Sequence, residues 1–153
     1  MPNWCENELT IKGLQGVIDI FLEFSRGAEA EGQKVHDFCL PKMLPPPLSI
    51  KDPNPSVLSN AEYDWREEHW GTKWDVDLQD SNQVTEGEHL LMFLTAWAPP
   101  EAAIVEVSKQ FPGLEFTLEY WECGVGFSGK TVVENGEMKL EEYNPNYDGE
   151  RGG

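Results

Sequence analysis

The most constraining feature of this sequence is an alternation between two hydrophobic periods along the chain. Four short segments have the patterns of strands, in which every second residue is apolar or the whole run is apolar. In two other segments apolar residues recur at spacings of three and four, as in amphipathic helices. The segments follow the order strand, helix, strand, strand, helix, strand. This order predicts an α+β fold, a ferredoxin-like βαββαβ sandwich with an antiparallel sheet.

The boundaries of these segments follow from the apolar pattern and from glycine and proline at their ends. The predicted strands are residues 8–13, 73–79, 89–97 and 114–122, and the predicted helices are residues 14–28 and 99–111. Residues 80–87 are predicted to be a polar connection between the second and third strands.

Two further segments extend this core. Residues 29–72 are predicted to be an insertion before the second strand that is mostly loop, because the prolines concentrated at 41–55 block helix interiors and central strands. A short helix between Ser56 and His69, capped by Ser56 or Ser59, is compatible with its C-terminal part.

The C-terminal part of the chain has the pattern of a hairpin followed by a tail. Asn135-Gly136 predicts a type I′ turn within a β-hairpin over residues 128–142. Residues 144–153 are polar and rich in glycine, which predicts a flexible tail. Residues 1–143 are therefore expected to form a single ferredoxin-like domain.

The charge of the chain narrows its possible partners. It has 11 basic and 28 acidic residues and a formal net charge of -17, and most of the acidic residues lie after residue 61. A face basic enough to bind nucleic acid or an anionic membrane directly is not expected. The three cysteines are widely spaced, no signal peptide is recognisable and no apolar run is long enough to span a bilayer, so a cytoplasmic location is predicted.

The predicted topology collects unusual residues at one end of the sheet. The first two strands begin, and the third and fourth strands end, at the same edge, and five of the six tryptophans converge there. A concave aromatic end of this kind predicts a site for a small ligand or a protein partner. An equally acceptable interpretation is a purely structural tryptophan cluster under a long insertion. The candidate ligand-binding residues are Asn3, Trp4, Glu6, Asn7, Arg66, Trp70, Thr72, Lys73, Trp74, Thr95, Trp97, Trp121 and Glu122.

No catalytic residues, metal site or cofactor are predicted. A nucleophilic site would need Cys5 or Cys123 close to a base such as His69, and no local motif supports it. A zinc site drawn from these residues and Glu122 lacks the usual close-spaced ligand pairs. The remaining histidines, His36 and His89, are interpreted as ordinary surface or strand-end residues.

Three functions therefore remain open. The first is a non-enzymatic binding or accessory protein that uses the tryptophan-rich end. The second is an acidic decoy that binds a nucleic-acid-handling protein, with outward-facing acids such as Glu8, Asp75, Asp77, Glu115 and Glu119 imitating a phosphate array; the alternative explanation of this acidity is solubility. The third is a small enzyme with a Cys/His site. The oligomeric state is not predicted.

Several motifs also carry a resemblance to a known family. They are residues 1–13, Trp65-Arg66, Trp70-Gly-Thr-Lys-Trp-Asp75, Thr95-Ala-Trp-Ala-Pro-Pro100 and Phe127-Ser-Gly129. In this order they resemble the YubB-like family, which is carried by bacterial plasmids and phages and has a ferredoxin-like domain. The resemblance spans roughly residues 2 to 135. It implies the same fold and a bacterial or mobile-element setting, and it implies no activity or catalytic residue.

Overall fold

The computed structural model describes all 153 residues and contains one six-stranded antiparallel sheet with the strand order β2-β3-β1-β4-β5-β6. The strands are β1 (Trp4–Lys12), β2 (Asp77–Thr85), β3 (Glu88–Ala96), β4 (Glu115–Glu122), β5 (Phe127–Glu134) and β6 (Glu137–Asn144). The helices are α1 (Gln15–Ser25), α2 (Leu40–Met43), α3 (Asn60–His69) and α4 (Glu101–Ser108), with a 3₁₀ turn at Leu48–Ile50. The predicted ferredoxin-like α+β fold with an antiparallel sheet is confirmed. None of the helices has the length and apolar character needed to cross a membrane.

Strand β1 lies in the middle of the sheet and defines its two faces. It begins at Trp4, four residues before the predicted start, because buried and partly exposed side chains alternate along its whole length. Leu9 and Ile11 are fully buried, and Leu9 pairs with Leu91 of β3 and Leu118 of β4. The alternate side chains, such as Glu6, lie on the opposite face, which is called the open face below.

The core between the sheet and the helices is built around aromatic side chains. The ring of Phe21 in α1 lies 5.2 Å from the rings of Phe111 and Phe116 and 6.4 Å from that of Phe38. Phe21, Phe38 and Phe116 are almost completely buried. Burial of each such side chain contributes roughly 1.5–3 kcal/mol, so α1 is held to the sheet mainly by these contacts.

The second strand was predicted over residues 73–79, but the structure places it at Asp77–Thr85. Residues 80–85, predicted to be a connection, belong to β2, where Asp80 pairs with Met92 and Gln83 with His89. As an edge strand that is mostly exposed, β2 does not need apolar residues. The alternating residues Trp74 and Val76 precede the strand, which begins at Asp77. Val76 belongs to the core, and Trp74 packs against another tryptophan.

The segment 29–72 is more ordered than the predicted loop. It contains α2, the 3₁₀ turn and α3, and Leu40 and Met43 of α2 belong to the core. Ser59 caps α3, because its Oγ accepts the Glu62 N–H at 3.0 Å. The prolines fall between or at the starts of these short elements, where they do not interrupt a backbone hydrogen-bond ladder.

The C-terminal strands and tail complete the sheet. Asn135 and Gly136 both have positive φ and connect β5 to β6. Residues 144–153 are expected to be flexible, yet the structure places their end against the sheet. The Gly153 N–H donates to the Trp4 carbonyl at 2.7 Å, and the Tyr147 N–H donates to the Gly126 carbonyl at 2.9 Å.

Candidate functional site

Three tryptophans and one lysine meet at the end of the sheet. Trp4 pairs in register with Ala96, the residue before Trp97. The ring centroids of Trp4 and Trp74 are 6.3 Å apart. Lys73 Nζ lies 4.4 Å from the Trp74 ring centroid and 5.9 Å from that of Trp97, so the ammonium connects the two indoles. Trp4, Lys73, Trp74 and Trp97 are called the aromatic rim below.

Trp97 is the most exposed member of the aromatic rim and has an unusual backbone. Its φ is +68°, in the left-handed region that bulky residues rarely adopt. Its side chain is 43% exposed, whereas its N–H donates to the Asn3 carbonyl at 2.9 Å. Such a conformation costs on the order of 1–3 kcal/mol and persists only where neighbouring contacts enforce it.

Those neighbouring contacts come from buried polar side chains beneath the turn. Thr95 Oγ1 donates to the Ala98 carbonyl at 2.7 Å and accepts a hydrogen bond from Asn7 Nδ2 at 2.9 Å. Thr72 Oγ1 donates to the Ala96 carbonyl at 2.8 Å. Thr95, Asn7 and Thr72 are buried, so these three predicted ligand-binding residues hold the turn from inside instead of facing solvent.

Two further predicted binding residues belong to the core. Trp70 is fully buried, and its Nε1 donates to the Leu44 carbonyl at 2.9 Å. Arg66 is almost fully buried; its Nη2 lies 2.8 Å from carboxylate oxygens of both Glu62 and Glu29, and its guanidinium carbon is 4.6 Å from the Trp70 ring centroid. Both residues were predicted to contact a ligand. In the structure they are buried where α3 meets this end of the sheet, and groups of the protein itself bind their polar atoms.

Glu122 is another buried residue among the predicted contacts. Its side chain has no exposed surface. Its carboxylate accepts the N–H of Gly124 and, at 2.8 Å, the N–H of Val125. Glu122 therefore stabilises the turn between β4 and β5, and it does not point towards a ligand.

Trp121 and Glu6 lie on the open face under the C-terminal tail. The Arg151 guanidinium carbon is 3.5 Å from the Trp121 ring centroid. Arg151 also pairs with Glu6 and, at 2.7 Å, with Glu8. A shallow groove of about 290 Å³ runs beside Trp121 and is lined in part by Lys130. Arg151 of the tail therefore covers the ring of Trp121, and Trp121 does not belong to the aromatic rim.

The residues of the Cys/His alternative do not form a nucleophilic set. Cys5 is fully buried, and burial raises the pKa of its thiol to about 12, the opposite direction from an activated cysteine. Cys123 Sγ donates to the Gly152 carbonyl at 3.1 Å. The His69 ring stacks on Trp65 at 4.4 Å and contacts the Trp65 carbonyl, so it has no hydrogen bond to either thiol.

The sequence and fold also match known proteins. A family model described as the ferredoxin-like domain in Api92-like protein matches residues 69–150, which is more than half of the chain. The chain belongs to this Api92-like family. The crystal structure of the protein Api92 from Yersinia pseudotuberculosis is similar in fold, with a TM-score of 0.71 and 12% sequence identity over 94% of this chain and 99% of that chain. At this identity the likeness shows the fold alone. No curated protein matches the chain by sequence.

This Api92-like protein has a second polar cluster that the sequence interpretation missed. His36 Nε2 lies 2.9 Å from Asp75 Oδ2, and Cys39 Sγ lies 3.5 Å from the same oxygen. Asp75, interpreted as an outward-facing acid, points instead into this cluster. The hydrogen bond to Asp75 raises the pKa of His36 above its ordinary value. The available signal was the His36-x-x-Cys39 spacing, a close-spaced pair of ligand types.

Proposed function

We propose that the protein is a non-enzymatic binding or accessory protein that engages a segment of a partner polypeptide through the aromatic rim. The observation that carries this proposal is Trp97. Its indole is substantially exposed although its backbone is held in a strained left-handed conformation by Thr95 and Asn3. Strain maintained by a dedicated hydrogen-bond network is typical of functional positions, and tryptophan is enriched at the centres of protein interfaces.

The chemistry of the aromatic rim suggests what the partner segment carries. Lys73 forms none of the ion pairs of the chain, and its ammonium lies between two indoles. The indole faces suit an apolar or aromatic side chain, and the ammonium suits a carboxylate. A polypeptide segment with an aromatic residue next to an acidic residue would satisfy both groups.

The proposed setting is the cytoplasm of a bacterium that carries a mobile element. The resemblance to the YubB-like family supports a plasmid or phage origin. The three cysteines are all free, which is consistent with a reducing compartment. The motifs of this resemblance include the residues of the aromatic rim, but the resemblance implies no activity. The setting and the binding mode are therefore separate proposals.

The acidic decoy is the second candidate function, and the net charge of -17 supports it. Two of the acids on the open face, Glu6 and Glu8, are already paired with Arg151, which reduces the free acidic array. The two candidates differ in salt dependence. A decoy complex should weaken strongly between about 50 and about 200 mM salt, because exposed charges are screened over a Debye length of about 10 Å or less. A complex formed through the aromatic rim should weaken little.

The binding proposal can be tested with random peptides displayed on phage. Peptides are selected on the wild-type protein alone, and their affinities for the wild type and for the Trp97→Ala variant are then measured by fluorescence anisotropy. We expect the selected peptides to combine aromatic and acidic residues, and we expect Trp97→Ala to weaken their binding at least ~10-fold. Lys73→Gln should weaken it less, because one exposed charge pair contributes less than an interface tryptophan.

Ile20→Ala is the matched control for this experiment. Ile20 is an apolar side chain of α1 that is 61% exposed and lies outside the aromatic rim. Its substitution should leave peptide affinity unchanged. A selection that yields only peptides bound equally well by wild type and Trp97→Ala, or that yields no binding peptide, contradicts the proposal.

A further inference from the structure

The cluster of His36, Cys39 and Asp75 brings together three different metal-ligand types. Nε2, Sγ and a carboxylate oxygen of these residues all lie within 4.8 Å of one another. Zinc ligands stand about 2.0–2.3 Å from the ion, so the ligand atoms around one tetrahedral ion are roughly 3.3–3.8 Å apart. The observed separations of 2.9 and 3.5 Å to Asp75 Oδ2 require only small side-chain shifts to reach that geometry.

The hydrogen bonds of His36 determine which nitrogen faces the cluster. Nδ1 lies 2.6 Å from the Asp37 carbonyl oxygen, which can only accept, so Nδ1 carries a hydrogen. Nε2 then faces the Asp75 carboxylate. In a neutral imidazole Nε2 would carry no hydrogen, and its lone pair would face a lone pair of the carboxylate oxygen. A proton or a metal ion must lie between Nε2 and Oδ2. Metal-binding histidines are commonly oriented by the same Nδ1–H to carbonyl hydrogen bond.

The carboxylate of Asp75 is also fixed by its neighbours. Oδ1 accepts the Leu40 N–H at 2.8 Å and the Val76 N–H at 2.9 Å. These bonds leave Oδ2 as the oxygen shared by His36 and Cys39. A carboxylate oriented by backbone donors is pre-organised as a ligand, because it loses little freedom when an ion binds.

A strained turn brings His36 and Cys39 together. Phe38, between them, has a φ of +68°. Its buried ring lies 5.2 Å from Phe93, and its N–H donates to Ser25 Oγ at 3.3 Å, which hold it in this conformation. Strained residues of this kind are concentrated at functional sites. The turn therefore sets the positions of His36 and Cys39 relative to each other.

The cluster is accessible from solvent on one side. Cys39 is fully buried, whereas the side chains of His36 and Asp75 retain 16% and 11% of their exposure. His36 also lines a groove of about 290 Å³ together with Arg26 and Asp37. The groove adjoins the cluster at His36.

We propose that His36 Nε2, Cys39 Sγ and Asp75 Oδ2 bind one Zn²⁺ ion, with water or another small ligand as the fourth donor. A mixed nitrogen, sulfur and oxygen set suits zinc better than magnesium or calcium, which prefer oxygen alone. Binding displaces the proton that lies between His36 Nε2 and Asp75 Oδ2, breaks the Cys39 S–H bond and forms a zinc–thiolate bond. Both protons pass to the buffer.

Without an ion, hydrogen bonds join the same three side chains to one another. Burial, followed by the nearby Asp75 charge, raises the pKa of the Cys39 thiol to about 12, so without an ion the thiol is protonated. Asp75 directly follows Trp74 of the aromatic rim, and zinc would therefore link the His36–Cys39 turn to the segment that carries Lys73 and Trp74. The zinc proposal does not rest on the proposed binding function.

The first test is a zinc titration of chelator-treated full-length protein in competition with a chromophoric chelator. We expect one Zn²⁺ per chain with a dissociation constant below ~1 μM. Cys39→Ser and His36→Asn should each weaken binding at least ~10-fold. The matched controls Cys123→Ser and His69→Asn should bind as wild type. Binding weaker than ~1 μM in the wild type, or binding that Cys39→Ser and Cys123→Ser affect equally, overturns the proposal.

A second measurement uses the wild-type chain and so does not depend on the folding of a variant. Co²⁺ replaces zinc in such sites, and a cobalt–thiolate bond produces a charge-transfer absorption in the near ultraviolet. We expect this band to saturate at one equivalent of Co²⁺ and to disappear when Zn²⁺ is added. Absence of the band at saturating Co²⁺ overturns the assignment of Cys39 as a ligand.

Discussion

Trp70 and Trp97 lie at the same end of the sheet, yet their environments are opposite. Trp70 has no exposed surface, and its indole N–H is bonded to the Leu44 carbonyl. Trp97 is 43% exposed and occupies a left-handed backbone conformation. The same residue type therefore packs the interior at position 70 and forms part of the surface at position 97.

The difference shows that strand direction does not determine whether a side chain is buried or exposed. Strand direction brings residues to one end, but the helices decide which of them are covered. Trp65 and Arg66 of α3 pack against the Trp70 ring and the Leu44 carbonyl binds its N–H, whereas the indole of Trp97 stays 43% exposed. Four experiments can break or sharpen this contrast between the interior and the aromatic rim.

The largest effect is expected for Trp70→Ala. Removal of a fully buried indole leaves a cavity and an unpaired Leu44 carbonyl, and it should lower the free energy of unfolding by about 3–5 kcal/mol. Trp97→Ala should lower it by about 1 kcal/mol or less, because the side chain is partly exposed. Urea denaturation measures both values. Equal losses for the two variants would mean that Trp97 is also a structural residue.

The next largest effect concerns Cys5, beneath the same end. Its thiol pKa of about 12, compared with an ordinary value of 9.0, reduces the thiolate fraction about a thousandfold at pH 8. Iodoacetamide should therefore modify Cys5 in the folded protein only as fast as the protein opens. Mass spectrometry of the Cys5 peptide checks this rate, with the urea-unfolded chain as the control. Rapid modification of folded Cys5 would contradict the assignment of this residue to the interior.

A smaller effect is expected for Glu122→Ala. The substitution removes the acceptor of the Gly124 and Val125 N–H groups, and it should lower the free energy of unfolding by about 2 kcal/mol. Glu106→Ala is the matched control, because that carboxylate is 55% exposed and forms only a surface pair with Lys109. Its effect should be within about 0.5 kcal/mol. If both variants behave alike, Glu122 is not the turn-stabilising residue described above.

The smallest effect is expected for Arg151→Ala, on the open face. Arg151 is 38% exposed, so its pairs with Glu6 and Glu8 should contribute about 1 kcal/mol or less. Loss of its stacking on Trp121 should nevertheless release the tail. Hydrogen exchange of the Gly153 N–H should become faster in the variant, whereas Lys139→Ala, on a surface pair of β6, should leave it unchanged. Unprotected exchange already in the wild type would support the flexible tail expected from composition.

The fold could be predicted from sequence to the extent that burial repeats along a segment. Leu9 and Ile11 mark β1 because a central strand must alternate, and Phe21 marks α1 because a packed helix must have an apolar stripe. Strand β2 could not be placed in the same way. Its residues after Asp80 are polar except for the exposed Val84, because an edge strand buries little. Its pairing therefore leaves no apolar pattern.

The candidate site could be predicted only in part, for a similar reason. Strand direction was sufficient to bring Trp4, Trp74 and Trp97 to one end. It could not show that α3 buries Trp70, because the position of α3 is set by contacts far from it in sequence. The His36 cluster was missed because Asp75 is distant in sequence and because the turn depends on a left-handed Phe38, which no residue preference predicts.

The central claim is that Trp97 serves binding while Trp70 serves stability, and paired measurements on Trp97→Ala test it most directly. Affinity for the selected peptides and the free energy of unfolding are measured on the same preparation. The account predicts an affinity loss of at least ~10-fold together with a stability loss of about 1 kcal/mol or less. Unchanged affinity together with a stability loss of about 3 kcal/mol or more would contradict it.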